Sequence, residues 1–182
     1  IVVEINRSSA LLAIRVVATR QEPELMLQPT HSFHLFLSHY WNTAQDQVAL
    51  IKRQLNILVP TAQIFLDVDD MESVDELERY IDETAVVLCF LSAGYFRSAA
   101  CQREIRHALL RRKPILLVRE TDDKHGAIPL STLRSECPED CRAELYKHTM
   151  VPWFRVREFQ LCSLKAIVQH IFTASPSYAR ML

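Results

Sequence analysis

The chain has 182 residues, a formal net charge of −1 and 49% hydrophobic residues. That length and composition are typical of a globular protein with one domain and a sizeable core. The near-zero charge gives no electrostatic reason to expect nucleic acid or an anionic membrane as a partner. No apolar run approaches the roughly 20 residues of a membrane-spanning helix, so no membrane span is expected.

The glycines and cysteines exclude further classes of protein and kinds of site. Only two glycines are present, and neither a G-x-G-x-x-G nor a Walker pattern occurs, so a phosphate-cradling loop is excluded. The five cysteines are irregularly spaced, which predicts reduced thiols in a cytoplasmic protein rather than a disulfide framework. Cys137 and Cys141 have the spacing of half a metal site, but no second pair accompanies them, so no metal is expected.

The first 30 residues do not follow the pattern of the rest. Residues 1–5 favour a strand, residues 9–20 fit either a helix or a strand, and two prolines mark residues 21–30 as a linker. We interpret residues 1–30 as an N-terminal extension, or the tail of a preceding domain plus a linker. The domain proper is predicted over residues 31–175, and residues 176–182 form a C-terminal tail.

The predicted domain contains four short apolar runs, and segments of helical length separate them. The runs are residues 35–37, 64–66, 85–91 and 114–118. Short continuous apolar runs in this arrangement are typical of an α/β fold in which helices cover both faces of a parallel sheet.

Helical periodicity predicts the elements between and after these strands. The first helix runs from Asn42 or Thr43, either of which can cap it, to Leu58. The others follow in chain order: a short helix over 75–82, a helix over 99–112, one short helix near 138–146, a fifth strand over 150–154 and an amphipathic helix over 157–172.

In parallel α/β sheets, ligands bind beyond the carboxyl ends of the strands. Three predicted strand ends carry unusual chemistry: Ser38-His39-Tyr40-Trp41, Asp67-Val68-Asp69-Asp70, and Ser92 leading into Cys101-Gln102-Arg103-Glu104. We therefore look for function at these ends.

Glu104 lies in the first turns of the third helix. A carboxylate there is either a dipole partner or capping-box residue, or a group that stabilises a cationic transition state. An oxocarbenium-like species in glycosidic bond cleavage is such a state. Tyr40 and Trp41 either sandwich a flat base or pack beneath a loop. His39 is either a hydrogen-bond donor or a turn residue.

The acidic cluster comprises Asp67, Asp69, Asp70 and Glu72, followed by Asp75, Glu76 and Glu78. It is either a divalent-cation site or a solvated acidic loop, and its spacing is not that of an EF-hand. The basic run of Arg106, Arg111, Arg112 and Lys113 is its counterpart on a neighbouring copy.

Two hypotheses of nucleophilic catalysis fail because the nucleophile lacks a suitable partner or structural context. Cys101 and His107 would point to different helix faces, and Ser92 and Ser98 lack a nucleophile-elbow context.

Several motifs, in this order, resemble those of a TIR (Toll/interleukin-1 receptor-like) domain. They are residues 33–38 as the opening strand, 64–72 as the second strand with its acidic loop, 86–98 as the third strand with its S-x-x-Y-x-x-S turn, the C-x-x-E of Cys101 and Glu104, and the late strand with Trp153. The resemblance covers about residues 33–172. Ser38-His39 with Gln45-Asp46-Gln47 resembles the TIR-like domains of unicellular eukaryotes and algae.

The resemblance implies a flavodoxin-like fold with a five-stranded parallel sheet and one of two activities. Some members of the family are scaffolds of signalling complexes, and others cleave NAD at the nicotinamide–ribose bond, with either a linear or a cyclic product. By motif match, Glu104 is the catalytic residue, which favours an NAD glycohydrolase in a signalling or defence protein. NAD is then the substrate, and no cofactor is required.

The remaining site assignments come from the predicted strand ends and from the opposite charges of the acidic cluster and the basic run. The substrate-binding candidates are Ser38, His39, Tyr40, Trp41, Asp69 and Cys101. The interface candidates are Asp67, Asp69, Asp70, Glu72, Arg111 and Arg112, which would join copies head to tail. Other TIR domains are further possible partners, and the alternative function is a non-enzymatic module for homotypic interaction.

Overall fold

The computed structural model describes residues 3–5, 14–16, 20–66 and 76–178. The predicted parallel sheet is confirmed: five strands form one all-parallel sheet. A separate antiparallel pair, β1 (Val3–Ile5) and β2 (Ile14–Val16), precedes it. Residues 9–20, which fitted either a helix or a strand, therefore contain a short strand.

The strands of the main sheet are β3 (Phe33–His39), β4 (Ile64–Phe65), β5 (Thr84–Leu91), β6 (Ile115–Glu120) and β7 (Met150–Trp153). Their order across the sheet is β4-β3-β5-β6-β7. The helices are α1 (Trp41–Leu58), α2 (Leu77–Asp82), α3 (Ala99–Leu110), α4 (Leu130–Glu136), α5 (Glu139–Leu145) and α6 (Arg157–Ala174). The first strand of the sheet thus lies between the second and third, as in flavodoxin-like folds.

Alternating side chains of the strands build two cores. Leu37 and Phe90 point to one face, where they pack with α1 and α6; we call this the α1 core. Phe36 and Cys89 point to the other face, where they pack with α2, α3, α4 and α5; we call this the α3 core. Because each sheet face is covered by helices, the strands are buried almost throughout, which explains their continuous apolar runs.

The start of α1 differs from the prediction. The helix begins at Trp41, and its N-cap residue Tyr40 makes no side-chain cap bond. Thr43, predicted as a possible cap, instead hydrogen-bonds the Ser92 hydroxyl at 2.8 Å and donates to the Ala93 carbonyl at 3.0 Å. The hydroxyl therefore ties α1 to the end of β5 rather than closing its own helix.

Other boundaries differ by a few residues, and one helix was missed. α3 ends at Leu110, and Arg112 has a left-handed φ of 52°. α4 (Leu130–Glu136) was not predicted, because its seven residues bury only Leu133 and so carry little periodicity. Residues 67–75 lie outside the described part of the chain, so the predicted start of α2 at residue 75 stays untested.

Segments on either side of the predicted domain pack on it. Ile14 is buried in the α1 core. The Met26 amide donates to the Ser175 hydroxyl at 3.1 Å, and that hydroxyl donates to the Met26 carbonyl at 3.0 Å. Tyr178 contacts Phe172 edge to face. The limits of 31 and 175 stay predictions, and packing of this kind extends beyond both.

Two further expectations concern the cysteines and membrane-spanning helices. All five cysteines lie in the described part, and each is a free thiol. None of the described helices combines the length and apolarity that crossing a membrane would need.

Candidate functional site at the sheet switch point

The chain changes direction across the sheet between β3 and β5, since β4 lies on one side of β3 and β5 on the other. Such a switch point leaves a crevice beyond the carboxyl ends of the two strands, where ligands bind in open α/β sheets. Ser38 near the end of β3 is in register with Cys89 of β5. Strand alternation turns both side chains toward α3.

A tight connection brings α3 over this point. Gly94 has a φ of 87°, and a Cβ there would lie 2.6 Å from Cε1 of Tyr40. A 3-10 turn (Tyr95–Arg97) follows, and Ser98 then caps α3 by accepting a hydrogen bond from the Cys101 amide at 3.3 Å. Only glycine adopts this left-handed geometry in the space that the Tyr40 ring leaves.

Helical spacing places Cys101 and Glu104 on the same inward face of α3. Both side chains are buried, Glu104 with 4% of its surface exposed. The Cys101 thiol donates to the His39 carbonyl at 3.2 Å. Since Cys101, not Glu104, is the third residue after the cap, the capping-box interpretation of Glu104 is wrong.

The Glu104 carboxylate accepts a hydrogen bond from the Ser38 hydroxyl. The Ser38 oxygen also lies 2.6 Å from the Tyr95 hydroxyl, which in turn hydrogen-bonds the Cys89 thiol. Four buried side chains from β3, β5, the 3-10 turn and α3 thus form one connected network.

Burial determines the protonation of the outer groups of this network. It raises the pKa of Cys89 to about 12 and the pKa of Tyr95 well above its usual value. Both groups therefore keep their protons at neutral pH. The Ser38 hydroxyl donates to the Glu104 carboxylate, and a hydrogen bond of this kind stabilises the ionised form of the carboxylate.

The structure brings together some of the predicted substrate-binding residues and separates others. Ser38, Cys101 and Glu104 meet, and Tyr40 packs on the α3 core beside them. His39 points its ring to the α1 side, where it hydrogen-bonds Gln45. Trp41 is 53% exposed and lies parallel to the His39 ring at 6.5 Å.

Tyr40 and Trp41, which lie beyond the carboxyl end of β3, contact different residues. Tyr40 lies against Gly94, and Trp41 lies against His39. An aromatic sandwich made by Tyr40 and Trp41 together is not supported, and neither is the alternative that Trp41 packs beneath a loop.

The structure describes only the basic members of the predicted interface. The acidic residues Asp67, Asp69, Asp70 and Glu72 are outside the described residues. Arg111 and Arg112 follow α3 at the amino edge of the sheet, where they line a groove of about 450 Å³ with His31, Asp82 and Lys113.

Within the chain, most of the basic run already has partners. Arg111 pairs with Asp82 at 2.8 Å, and Arg106 pairs with Asp140 at 2.7 Å. Burial alone would raise the pKa of Asp82, but hydrogen bonds from His107 and Arg111 outweigh it and lower that pKa. Arg106 and Arg111 thus have ion-pair partners within the chain, whereas Arg112 is exposed and has no ion pair within the described residues. The assignment of Arg111 and Arg112 to an interface stays a prediction.

Sequence reasoning missed the roles of Tyr95 and Cys89. Tyr95 stands in the S-x-x-Y-x-x-S turn, and Cys89 shares with Ser38 the face of the sheet that period-2 alternation assigns to α3. Among the described residues, no group of three or more His, Cys, Asp or Glu side chains is arranged to hold a metal ion.

Comparisons with known proteins agree with this fold. The family model described as TIR domain matches residues 35–147, more than half of the chain. No curated protein sequence matches the chain.

Solved structures include two similar folds. One is a metazoan TIR-STING receptor from C. gigas in complex with 2',3'-cGAMP, at 13% identity and a TM-score of 0.57, with 81% of this chain and 41% of that chain covered. The other is the TIR domain of the Toll-related receptor TRR-2 from Hydra magnipapillata, at 10% identity and a TM-score of 0.55, with 77% of this chain and 98% of that chain covered. At these identities the likeness shows the fold alone, and the chain spans less than half of the TIR-STING receptor.

Proposed function

The chain belongs to the TIR domain family, and on that premise we propose that it cleaves NAD at the bond between nicotinamide and ribose. One observation carries the proposal: a buried carboxylate, Glu104, stands at the switch point of the sheet and is oriented by the Ser38 hydroxyl. The motif match that singles out Glu104 and the geometry around it point to the same residue.

The chemistry requires little beyond that carboxylate. As the bond between C1′ of the ribose and the pyridine nitrogen breaks, its electron pair leaves with nicotinamide as a neutral base, so no general acid is needed. The ribose becomes oxocarbenium-like, and the negative charge of Glu104 stabilises it. Water then attacks C1′ and loses a proton to give ADP-ribose; attack by the adenine of the same molecule gives a cyclic product.

The surroundings of Glu104 suit electrostatic stabilisation. Only 4% of the side chain is exposed, so a charge on it is screened far less than at the surface. The Ser38 hydroxyl fixes the orientation of the carboxylate by donating to one of its oxygens. In this proposal Tyr40 and Cys101 border the ribose and nicotinamide, whereas Trp41 contributes an exposed ring at the outer rim.

The experiment follows nicotinamide release from NAD by chromatography at high protein concentration. Glu104→Gln keeps the volume and a hydrogen-bond acceptor but removes the charge, so we expect a loss on the order of a hundredfold or more. The matched control is Glu136→Gln, which alters a largely buried glutamate that pairs with Arg97. It should retain turnover near that of the wild type.

Two results would contradict the proposal in different ways. Wild-type turnover by a folded Glu104→Gln protein would mean that Glu104 is not catalytic. Absence of nicotinamide release from the wild type at every protein concentration would favour the second candidate, a non-enzymatic module for homotypic interaction. The observation that favours this candidate is the burial of Glu104, since a carboxylate held by Ser38 also serves as a structural tie between α3 and β3.

We further propose that copies associate head to tail. The acidic cluster follows β4 at the carboxyl edge of the sheet, and Arg112 follows α3 at the amino edge. Because the strands are parallel, surfaces of opposite charge at these two edges would join copies in one direction without closing a ring of two.

A further inference from the structure

The hydrogen bonds that join Glu104, Ser38 and Tyr95 have only one consistent direction when that carboxylate is ionised. An ionised carboxylate only accepts, so the Ser38 hydroxyl must donate its single proton to Glu104. The Ser38 oxygen is then an acceptor for Tyr95, whose hydroxyl is 2.6 Å away. The Ser38 and Tyr95 protons thus both point toward Glu104.

Burial keeps water away from these hydrogen bonds. Cys89 and Tyr95 have no measurable exposure, and Ser38 has 1%. In a low-dielectric interior, hydrogen bonds in a chain polarise one another, so the Tyr95 hydroxyl strengthens the bond from Ser38 to the charge. The last bond, from Ser38 to Glu104, is charge-assisted and is the strongest of the series.

From this arrangement we infer that Tyr95 is a positioning residue that acts through Ser38 to keep the Glu104 carboxylate ionised and in one orientation. Tyr95 does not touch the ribose in this account. Tyr95 contributes one hydrogen bond, to the Ser38 oxygen, and removal of the Tyr95 hydroxyl alone abolishes that bond. The effect on catalysis rests on the proposed function, but the effect on the titration of Glu104 does not.

Several other titratable groups lie near Glu104 in the described part of the chain. Cys89 on β5 and Tyr95 on the 3-10 turn face it directly, and Cys101 lies on its own helix. Cys137 at the end of α4 lies beyond Cys89, and the His39 ring of β3 points to the opposite side of the sheet. Arg103, the neighbour of Glu104 in sequence, pairs with Glu78 of α2.

The decisive measurement is the pH titration of the Glu104 side-chain carboxyl carbon by NMR in protein labelled with 13C-glutamate. The Glu104→Gln protein assigns the resonance. Tyr95→Phe keeps the ring and removes the hydroxyl, and we expect the titration midpoint to rise by about half a unit to one unit. The sign follows because the variant loses a donor that favours the charged form.

The control is Tyr146→Phe. This tyrosine also packs on the α3 core, and its buried hydroxyl has no hydrogen-bond partner among the described residues. Its removal should leave the midpoint unchanged. An unchanged midpoint in Tyr95→Phe, or an equal rise in Tyr146→Phe, would overturn the inference.

A further variant keeps the test decisive if Tyr95→Phe does not fold. Ser38→Ala removes the direct donor and should raise the midpoint more than Tyr95→Phe does. If Ser38→Ala left the midpoint unchanged, Tyr95 would not act through Ser38.

The pH dependence of NAD cleavage provides a second measurement. If NAD is cleaved, the acid limb of kcat/KM in Tyr95→Phe should move up by the same half to one unit, which lowers activity about three- to tenfold on that limb. Above the limb the variant should approach the wild type. Absence of turnover in the wild type would reject the proposed function, while the NMR titration would still decide the role of Tyr95.

Discussion

At the scale of single residues, the contact between Gly94 and Tyr40 decides how α3 reaches the site. Gly94 turns the chain with a φ of 87°, and the Tyr40 ring occupies the space that a Cβ would need. The turn sets the direction of the 3-10 segment, and with it the positions of Tyr95 and Glu104. One glycine thus links the geometry of the network to the packing at the start of α1.

We expect Gly94→Ala to lower the free energy of unfolding by about 1–3 kcal/mol, because alanine is strained at this φ and its Cβ would collide with Tyr40. Urea denaturation measures this loss. The control is the same substitution in a Tyr40→Ala background, where the collision is absent and the φ strain remains, so the cost should be smaller. An equal cost in both backgrounds would show that the ring contact contributes nothing.

At the scale of elements, the edge strand β4 depends on a side chain from β3. β4 has only two residues, so few backbone bonds hold it. The His34 amide donates to the Gln63 carbonyl at 2.8 Å, and the His34 ring nitrogen Nδ1 accepts from the Gln63 amide at 2.9 Å. The ring therefore extends the ladder only while Nδ1 is unprotonated.

Acid should weaken this edge. Burial lowers the pKa of His34 below its ordinary 6.5, so below that value the unfolded chain binds protons that the folded chain resists. The stabilisation is complete above pH 6.5 and is lost as the pH falls toward the folded pKa. His34→Asn presents an amide oxygen near the position of Nδ1 and does not titrate.

We therefore expect the variant to show a shallower fall in urea midpoint between pH 7.5 and 5.5 than the wild type. Some slope should remain, since burial also lowers the pKa values of His31 and His148. If the two proteins had the same slope, His34 would not be the group that senses acid at β4.

At the scale of the whole molecule, the parallel sheet gives the domain two unlike ends. The carboxyl edge carries Glu104 and precedes the acidic cluster, while the amino edge carries Arg112. Head-to-tail contact would place the amino edge of one copy near the catalytic edge of the next. The proposed NAD cleavage should then depend on protein concentration.

We expect specific activity to rise with protein concentration and to fall when Asp69 and Asp70 are both changed to Lys. Arg112→Glu should have the same effect on association, and its stability should change by no more than about 0.5 kcal/mol because the side chain is exposed. Arg111 is left intact because it pairs with Asp82. Light scattering and nicotinamide release report association and activity.

Mixing the two variants should partly restore association and activity. When the variants alternate, one junction pairs the lysines of one copy with Glu at position 112 of the next, and the following junction pairs unchanged Asp69 and Asp70 with unchanged Arg112. Lys165→Glu, an exposed charge reversal on α6, serves as the control and should change neither. Failure of the mixture to recover association would show that these two surfaces do not meet. A wild-type monomer with constant specific activity over a wide dilution range would exclude the assembly.

The fold and the family could be predicted from the sequence because both depend on local patterns. Continuous apolar runs predict strands buried on both faces, and these runs alternate with segments of helical period. Glu104 could be singled out because its motif lies within four residues, at the start of a helix that the periodicity also predicts. Such signals need no knowledge of which elements pack together.

Only the tertiary structure decided which side chains meet. Ser38 and Glu104 are 66 residues apart in the chain, and no local pattern encodes their hydrogen bond. Strand pleating separates Ser38 from the adjacent His39, turning one ring to α1 and one hydroxyl to α3. The same long-range packing assigns Thr43 to Ser92 rather than to a helix cap and brings Tyr95 into the network. The residue types of the site follow from the sequence, whereas their roles follow from contacts that form when the sheet and its helices pack.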